Sequence, residues 1–169
     1  MYWSEVKIQS ARISLRPFSA EDADDAFSYI TPSLTRFMAW DPPASRQEFD
    51  HVWQSWLPSI HDGADLIFVI RDRLDGQFLG LAGLHRAQAA SPELGIWIRE
   101  DRHGHGFGRE SVTAVVAWAS SRLRPTNFVY PVAEDNQASR RIAESLGGVT
   151  IDKRPNPKYM ALIYQIPRK

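Results

Sequence analysis

Three glycines alternate with other residues at positions 104, 106 and 108 of this 169-residue chain. They lie between an apolar run, residues 94–98, and a segment, residues 111–123, whose apolar residues recur at helical spacing. Alternating glycines let the backbone approach a ligand closely and adopt dihedral angles that other residues avoid. At the start of a helix, unpaired N–H groups and the positive end of the helix dipole point into the same space. The sequence therefore predicts a strand, a glycine turn and a helix that together form an anion cradle suited to phosphates.

Two familiar phosphate-binding loops do not fit this spacing. A P-loop ends in Gly-Lys followed by Ser or Thr, whereas Gly108 is followed by Arg109 and Glu110. A dinucleotide fingerprint, G-x-G-x-x-G, that began at Gly104 would place its third glycine where this chain has Arg109. The glycines also come too late in the chain to open a first βαβ unit.

The glycine segment resembles the pyrophosphate loop of the GNAT superfamily of N-acetyltransferases, whose signature is Q/R-x-x-G-x-G/A. His103, Gly106 and Gly108 occupy its fixed positions, with His103 in place of the usual glutamine or arginine. That departure keeps the backbone cradle but not the usual side chain for a phosphate contact. The resemblance implies that acetyl-CoA is the cosubstrate and that it is bound by Trp97, Ile98, Arg99, His103, Gly104, His105, Gly106, Phe107, Gly108, Arg109 and Asn136.

Three further segments extend the resemblance along the chain in the family's order. Residues 135–147 are similar to its asparagine-x-x-serine helix with a leucine-glycine ending, and residues 93–98 to the strand often written E-x-G-Y-W. Residues 12–17 resemble its first strand. The branch that these segments most resemble is the RimJ/RimL-like type, which acetylates the N-termini of ribosomal proteins. One departure is Gly148, where the family usually has phenylalanine.

Hydrophobic periodicity and turn residues predict one α/β domain over residues 1–169. Strands are expected at residues 13–16, 66–70, 78–84, 94–99, 128–132, 149–152 and 160–165. Helices are expected at residues 20–30, from a cap at Ser45 to Ile60, at residues 108–123 and at residues 136–146. The resemblance implies that these elements form the GNAT fold, a mixed and mostly antiparallel central sheet flanked by helices.

Composition excludes several classes of protein. The 20 basic and 20 acidic residues balance, so nothing indicates nucleic acid or an anionic membrane as a partner. The absence of cysteine excludes thiol catalysis, disulfides and thiolate metal sites. His103 and His105 are too few for a zinc site, so we predict no metal. No signal peptide or membrane-spanning run is recognisable, and we expect a cytoplasmic enzyme.

Glu93 is the first candidate for the general base. A carboxylate at the start of a mostly apolar strand is unusual because unpaired burial is expensive, and burial would raise its pKa towards the range useful for a base. A glutamate at the strand edge that pairs with Arg86 is the alternative reading. His85, at the end of the preceding strand, is the second candidate base, with a surface histidine as its alternative.

In the resembled family the residue at the place of Ser139 lies near the sulfur and pantetheine, so the Ser139 hydroxyl is the candidate that donates to the leaving thiolate, with an inert helix residue as the alternative. It follows Asn136 by three residues, so both side chains can face the cradle. Asn136 is expected either to bind the pantetheine amides or to cap the helix, and the two roles are compatible. Tyr130 and Tyr159 are alternative proton donors, with core packing as the competing explanation.

The resemblance implies an N-acetyltransferase that moves an acetyl group from acetyl-CoA to a primary amine by direct attack in a ternary complex. The RimJ/RimL-like branch favours the N-terminal amine of a protein or peptide as the acceptor. The alternatives are a small-molecule amine, such as a polyamine or an aminoglycoside-like compound, and a non-catalytic acyl-CoA-binding sensor module. Neither nucleic acid nor membrane is expected as a partner, and a homodimer is left open.

Overall fold

The computed structural model describes residues 1–169 and contains one sheet of eight strands. The strands are β1 (Ile8–Gln9), β2 (Ile13–Pro17), β3 (Leu66–Asp72), β4 (Phe78–His85), β5 (Glu93–Ile98), β6 (Asn127–Ala133), β7 (Val149–Pro155) and β8 (Met160–Pro167). Their order across the sheet is β1-β2-β3-β4-β5-β6-β8-β7. The predicted class, a mixed and mostly antiparallel sheet flanked by helices, is confirmed. Every predicted strand is present, and only the two-residue β1 was missed.

Five helices cover the sheet: α1 (Ala23–Ser28), α2 (Pro32–Thr35), α3 (Arg46–Asp62), α4 (Phe107–Arg122) and α5 (Gln137–Ser145). Side-chain caps fix three of their starts, because Thr31, Ser45 and Asn136 each accept a hydrogen bond from a backbone N–H in the first turn. The helix predicted at residues 20–30 is shorter than expected. It begins as a 3₁₀ turn, Ala20–Asp22, whose capping box joins Ser19 and Asp22.

The tight turn after α5 explains the glycine at position 148. The Gly148 N–H donates to the Ala143 carbonyl oxygen at 2.8 Å, and a Cβ added to Gly148 would lie 2.6 Å from that oxygen. A phenylalanine therefore does not fit this turn.

The helices lie in two layers on opposite faces of the sheet. On one face, α4 and α5 pack through Val112, Val115 and Ala143 against alternate residues of the strands. On the other face, α1 and α3 pack through Ala26 and Phe49 against a smaller cluster that includes strand residues such as Trp97. Because side chains alternate between faces along a strand, β3, β4 and β5 each contribute to both clusters.

The sheet opens between β5 and β6. Every other neighbouring pair is antiparallel, whereas β5 and β6 run parallel and pair only at Glu93 and Val129. The chain between these two strands crosses over through α4. Beyond that single pair the strands diverge, so the remainder of β5 has one hydrogen-bonding edge free on the side of α4's N-terminus.

Asp22 joins the first helical segment to the sheet. Its side chain is fully buried and accepts hydrogen bonds from the guanidinium of Arg16 at 2.7 Å and from that of Arg71 at 3.0 Å. Burial alone would raise the pKa of Asp22, but hydrogen bonds from Arg16, the Ser19 backbone and Arg71 together lower it below its usual value of 3.8. The ionised carboxylate is therefore the form that the folded protein stabilises.

Asp22→Asn should lower the free energy of unfolding by about 3 kcal/mol at neutral pH. This is the lower end of what removing one partner of a buried ion pair costs, because Arg16 and Arg71 both keep some solvent contact. Since the pKa is lowered on folding, the contribution is complete above the unfolded-state pKa and is lost as pH falls through the folded-state pKa. Denaturant unfolding across acidic pH measures the difference. A difference that persisted undiminished at about pH 2 would contradict this assignment.

Candidate active site

The free edge of β5 presents backbone groups to the opening. The Arg99 N–H donates to the Leu79 carbonyl oxygen at 2.8 Å, and Trp97 lies opposite Leu81 in the same register. Backbone groups of alternate residues in a strand point to opposite sides. The N–H groups of Ile96 and Ile98 therefore point towards the opening. They are available to pair with an extended ligand.

The register limits which of the strand residues predicted to bind acetyl-CoA, Trp97, Ile98 and Arg99, can do so through the backbone. The Arg99 N–H is instead used by β4, and its guanidinium pairs with Asp101 at 2.6 Å and lies 3.8 Å from the centre of the Tyr29 ring. Of the three residues, Ile98 has its backbone directed into the opening.

The glycine segment forms the turn into α4. Gly104 and Gly106 both have φ of +80°, a conformation that side chains with a Cβ disfavour, and Gly106 is the N-cap of α4. Backbone N–H groups of residues 104–109 donate to no other backbone group. They lie at the positive end of the helix dipole, so this turn can bind an anion. A Cβ at Gly108 would lie 3.4 Å from the Ile142 side chain, which shows how closely α4 packs against α5 there.

Arg12, the residue immediately before β2, stabilises this turn through several contacts. Its backbone N–H and Nε donate to the two carboxylate oxygens of Glu110, each at 2.8 Å, and its Nη1 donates to the His105 carbonyl oxygen at 2.9 Å. Its guanidinium also lies 4.4 Å from the centre of the Phe107 ring. Burial raises the pKa of Glu110, but these bonds from Arg12 lower it overall. The two partners are 98 residues apart in sequence, and no local signal indicated the contact.

The remaining predicted residues of the cradle have different surroundings. The His103 ring turns back, and its Nε2 lies 2.6 Å from the Ile98 carbonyl oxygen. His105 and Arg109 are exposed on the turn, whereas Phe107 is buried beneath Arg12. His103 thus helps to fix the turn to β5, which occupies the side chain that the family usually offers to phosphate.

Glu93 and His85 lie opposite each other on β5 and β4. The Glu93 side chain is 33% exposed, and its carboxylate accepts a hydrogen bond from Arg86 at 3.2 Å. The sequence allowed either a buried Glu93 without a partner or a Glu93 at the strand edge that pairs with Arg86, and the structure shows the pair with Arg86. Residues 93, 95 and 97 share one face of β5, so Glu93 faces the same side as Trp97, on the layer of α1 and α3.

The His85 ring lies over two glycines, Gly83 and Gly95, which have no side chains. Gly83 and Gly95 pair across β4 and β5, and a Cβ added to Gly83 would lie 2.8 Å from His85 Nε2. The other ring nitrogen, Nδ1, lies 3.5 Å from the Asp65 carboxylate. Arg86, with φ of +50°, directs its N–H to that same carboxylate at 2.8 Å. The turn after β4 thus brings both candidate bases to one shallow depression in the sheet.

Ser139 and Asn136 lie on the opposite face, at the start of α5. The Ser139 N–H donates to Asn136 Oδ1 at 3.3 Å, and Asn136 Nδ2 lies 3.2 Å from Ser139 Oγ. Asn136 is therefore the helix cap that one reading of the sequence predicted. Tyr130, on β6, is buried, and Tyr159 lies between β7 and β8, where burial raises its pKa.

Two contacts tie the layer of α1–α3 to the rest of the site. Lys158, in the β7–β8 turn, donates to the carbonyl oxygens of Thr35 at 2.7 Å and Trp40 at 3.1 Å, and pairs with Asp41 at 3.0 Å. Glu100, just before the glycine turn, accepts a hydrogen bond from Ser33 at 2.8 Å. These contacts hold α2 and the loop that follows it against the β7–β8 turn and against the segment that precedes the glycine turn.

No three histidine or carboxylate side chains are grouped in a way that could hold a metal ion. In addition, none of the helices is both long enough and apolar enough to cross a membrane.

Known proteins with similar sequences and structures show which family has this architecture. The profile of the acetyltransferase (GNAT) domain matches residues 12–149. An N-acetyltransferase 9-like protein from Caenorhabditis briggsae is 24% identical over 151 residues, which cover 82% of this chain and 75% of that protein. The structure of Mycobacterium smegmatis RimJ in complex with CoA-disulfide is similar with a TM-score of 0.85 at 16% identity, covering 98% of this chain and 88% of that one. The structure of spermidine N-acetyltransferase from Vibrio cholerae in complex with CoA and spermine is similar with a TM-score of 0.81 at 19% identity, covering 94% of this chain and 97% of that one.

Proposed function

Because the chain belongs to the GNAT acetyltransferase family, it is an acetyl-CoA-dependent N-acetyltransferase, and we propose that its acceptor is the N-terminal amine of a protein or peptide. The amine attacks the thioester directly while both substrates are bound. The observation that supports this acceptor is the electrostatic character of the layer opposite α4 and α5. Most carboxylates of that layer are paired with an arginine or a lysine, although Glu48 and Asp62 on α3 are not.

The residues of the opening suit acetyl-CoA. Free N–H groups at residues 104–109 and the dipole of α4 match a pyrophosphate. The free edge at Ile96 and Ile98 matches an extended arm with its own amides, which can pair with it as another strand would. The thioester is already activated, so the protein has to align the reactants, polarise the carbonyl and handle one proton. A backbone N–H of the free edge is placed to polarise the carbonyl.

Glu93 is the proposed base. Its carboxylate is partly exposed at the end of β5 that pairs with β6, and the amine is proposed to approach from this face of the sheet. The carboxylate can accept the proton that the ammonium must lose before or during attack. Arg86 fixes its orientation through the bond at 3.2 Å. His85, directly across the strand pair, is the second group placed to accept that proton.

Ser139 is proposed to donate a hydrogen bond to the leaving thiolate from the opposite face. Asn136 holds both its backbone and its hydroxyl oxygen. A thiolate is a tolerable leaving group, so one neutral hydrogen bond is a modest contribution of about 1 kcal/mol.

The charges around the acceptor side argue against a polycation. Most carboxylates there already have basic partners: Asp22 and Asp25 with Arg71, Asp24 and Asp50 with Arg46, Asp41 with Lys158, and Glu93 with Arg86. A polyamine carries several positive charges and needs several unpaired carboxylates to hold them. A peptide N-terminus carries one ammonium and otherwise offers backbone amides, which suits this surface.

An acetyl-CoA turnover assay over matched acceptors tests the proposal. Peptides with a free N-terminus should be acetylated, the same peptides with a blocked N-terminus should not, and spermidine should be a poor acceptor at equal concentration. Preference for spermidine over every peptide would contradict the proposed acceptor. Binding of CoA with no turnover of any amine would support the non-catalytic sensor instead.

Glu93→Gln should lower kcat by about 10²- to 10⁴-fold at neutral pH, the usual worth of a general base. Affinity for acetyl-CoA should be unchanged, since Glu93 lies on the other face from α4. Raising the pH should recover part of the loss, because the amine then arrives already deprotonated. Steady-state rates across pH measure this, with His85→Gln as the matched variant. A Glu93→Gln profile parallel to that of the parent, combined with the large loss in His85→Gln, would transfer the role of base to His85.

A further inference from the structure

Tyr130 carries a buried hydroxyl without a hydrogen-bond partner. The residue is 2% exposed, and Asn127 Oδ1 is the only other buried side-chain atom left without one. A buried polar group with no partner costs stability, and most such groups in folded proteins are satisfied. The apolar alternative, phenylalanine, would fill the same space. The retained hydroxyl therefore calls for a purpose other than packing.

Ser139 lies on α5, which packs on the same face of the sheet as Tyr130, and its side chain influences the pKa of that hydroxyl. Burial raises the pKa of Tyr130 to about 12, and Ser139 is close enough to oppose that rise slightly, although the two oxygens make no hydrogen bond of ordinary geometry. The phenol therefore keeps its proton throughout the physiological range and is a donor. Hydrogen bonds of a catalytic site are often long in the free protein and shorten when substrate binds.

Asn136 already holds the Ser139 hydroxyl from the other side. Because Asn136 Oδ1 accepts from the Ser139 N–H at 3.3 Å, its Nδ2 is directed at Ser139 Oγ, 3.2 Å away. A hydroxyl oxygen has two acceptor sites and one proton. Asn136 fills the first acceptor site, which leaves the second for another donor, and the Tyr130 hydroxyl is the buried donor without a partner.

We infer that Tyr130 is a positioning residue: its hydroxyl donates to Ser139 Oγ when acetyl-CoA binds, and this turns the single Ser139 proton towards the thioester sulfur. The inference rests on the proposed role of Ser139. When Asn136 and Tyr130 both donate to Ser139 Oγ, the Ser139 proton can point only away from these two residues, into the opening between β5 and β6. Tyr130 does not touch the substrate, since its hydroxyl is fully enclosed.

Tyr164 provides a matched control. It pairs with Tyr130 across β6 and β8 and is equally buried. Its hydroxyl, however, donates to Glu144 at 3.0 Å and accepts from Arg140 Nε at 3.2 Å. Tyr164→Phe strips two polar side chains of a partner and should lower the melting temperature. Tyr130→Phe removes an unsatisfied group and should leave the melting temperature unchanged or raise it.

A double-mutant cycle on kcat tests whether Tyr130 acts through Ser139. Tyr130→Phe should lower kcat about three- to tenfold, the worth of one neutral hydrogen bond, with the KM for acetyl-CoA unchanged. In a Ser139→Ala background the same substitution should have no further effect. Tyr164→Phe should show no coupling with Ser139→Ala. An unchanged kcat in Tyr130→Phe, or an equal loss in both backgrounds, would overturn the inference.

A second readout does not depend on the acceptor. The thiol of bound CoA can be titrated by its ultraviolet absorbance, with bound desulfo-CoA as the blank. The thiol should ionise at lower pH on the parent than on Tyr130→Phe or Ser139→Ala, and identical titrations in the three proteins would overturn the inference. If the parent acetylates no amine yet shows this difference, the proposed function fails while the role of Tyr130 stands.

Discussion

The single pair that joins β5 to β6, Glu93 with Val129, sets the arrangement of the whole site. Parallel strands normally continue their ladder, and every backbone group left without a partner away from water costs free energy. Here the ladder stops after one pair, and the N–H groups of Ile96 and Ile98 point into the opening that results. The glycine turn and the N-terminus of α4 lie at the same opening, so a free strand edge and an anion cradle face one ligand.

Because side chains alternate along a strand, the candidate bases and the candidate proton donor lie on different faces of the sheet. Glu93 and His85 face the layer of α1–α3, where the acceptor amine is proposed to arrive. Tyr130 points to the other layer, where Asn136 and Ser139 begin α5. The proposed proton acceptor and the proposed donor to the thiolate therefore lie on opposite faces of the sheet.

The parts of this arrangement that sequence could predict rest on local signals. Glycine spacing, helix caps and strand periodicity located the cradle, α5 and all the long strands, because those signals lie within one turn or one strand. The contact of Arg12 with Glu110, the hold of Lys158 on Thr35, and the enclosed hydroxyl of Tyr130 escaped prediction. Each depends on tertiary packing between distant segments. The motif does not encode the register of the strand, which directs the Arg99 N–H to Leu79 and decides which backbone groups are free.

Amide hydrogen exchange on titration with CoA tests the central claim, that the free edge of β5 and the glycine turn bind one ligand. Exchange at Ile96 and Ile98 and within residues 104–109 should slow at saturation, whereas Arg99, already bonded to Leu79, should be unchanged. Gly106→Asp should remove all of this protection, because a carboxylate about 4 Å from a pyrophosphate costs up to about 4 kcal/mol. Saturable CoA binding that left Ile96 and the glycine turn unprotected would contradict the account.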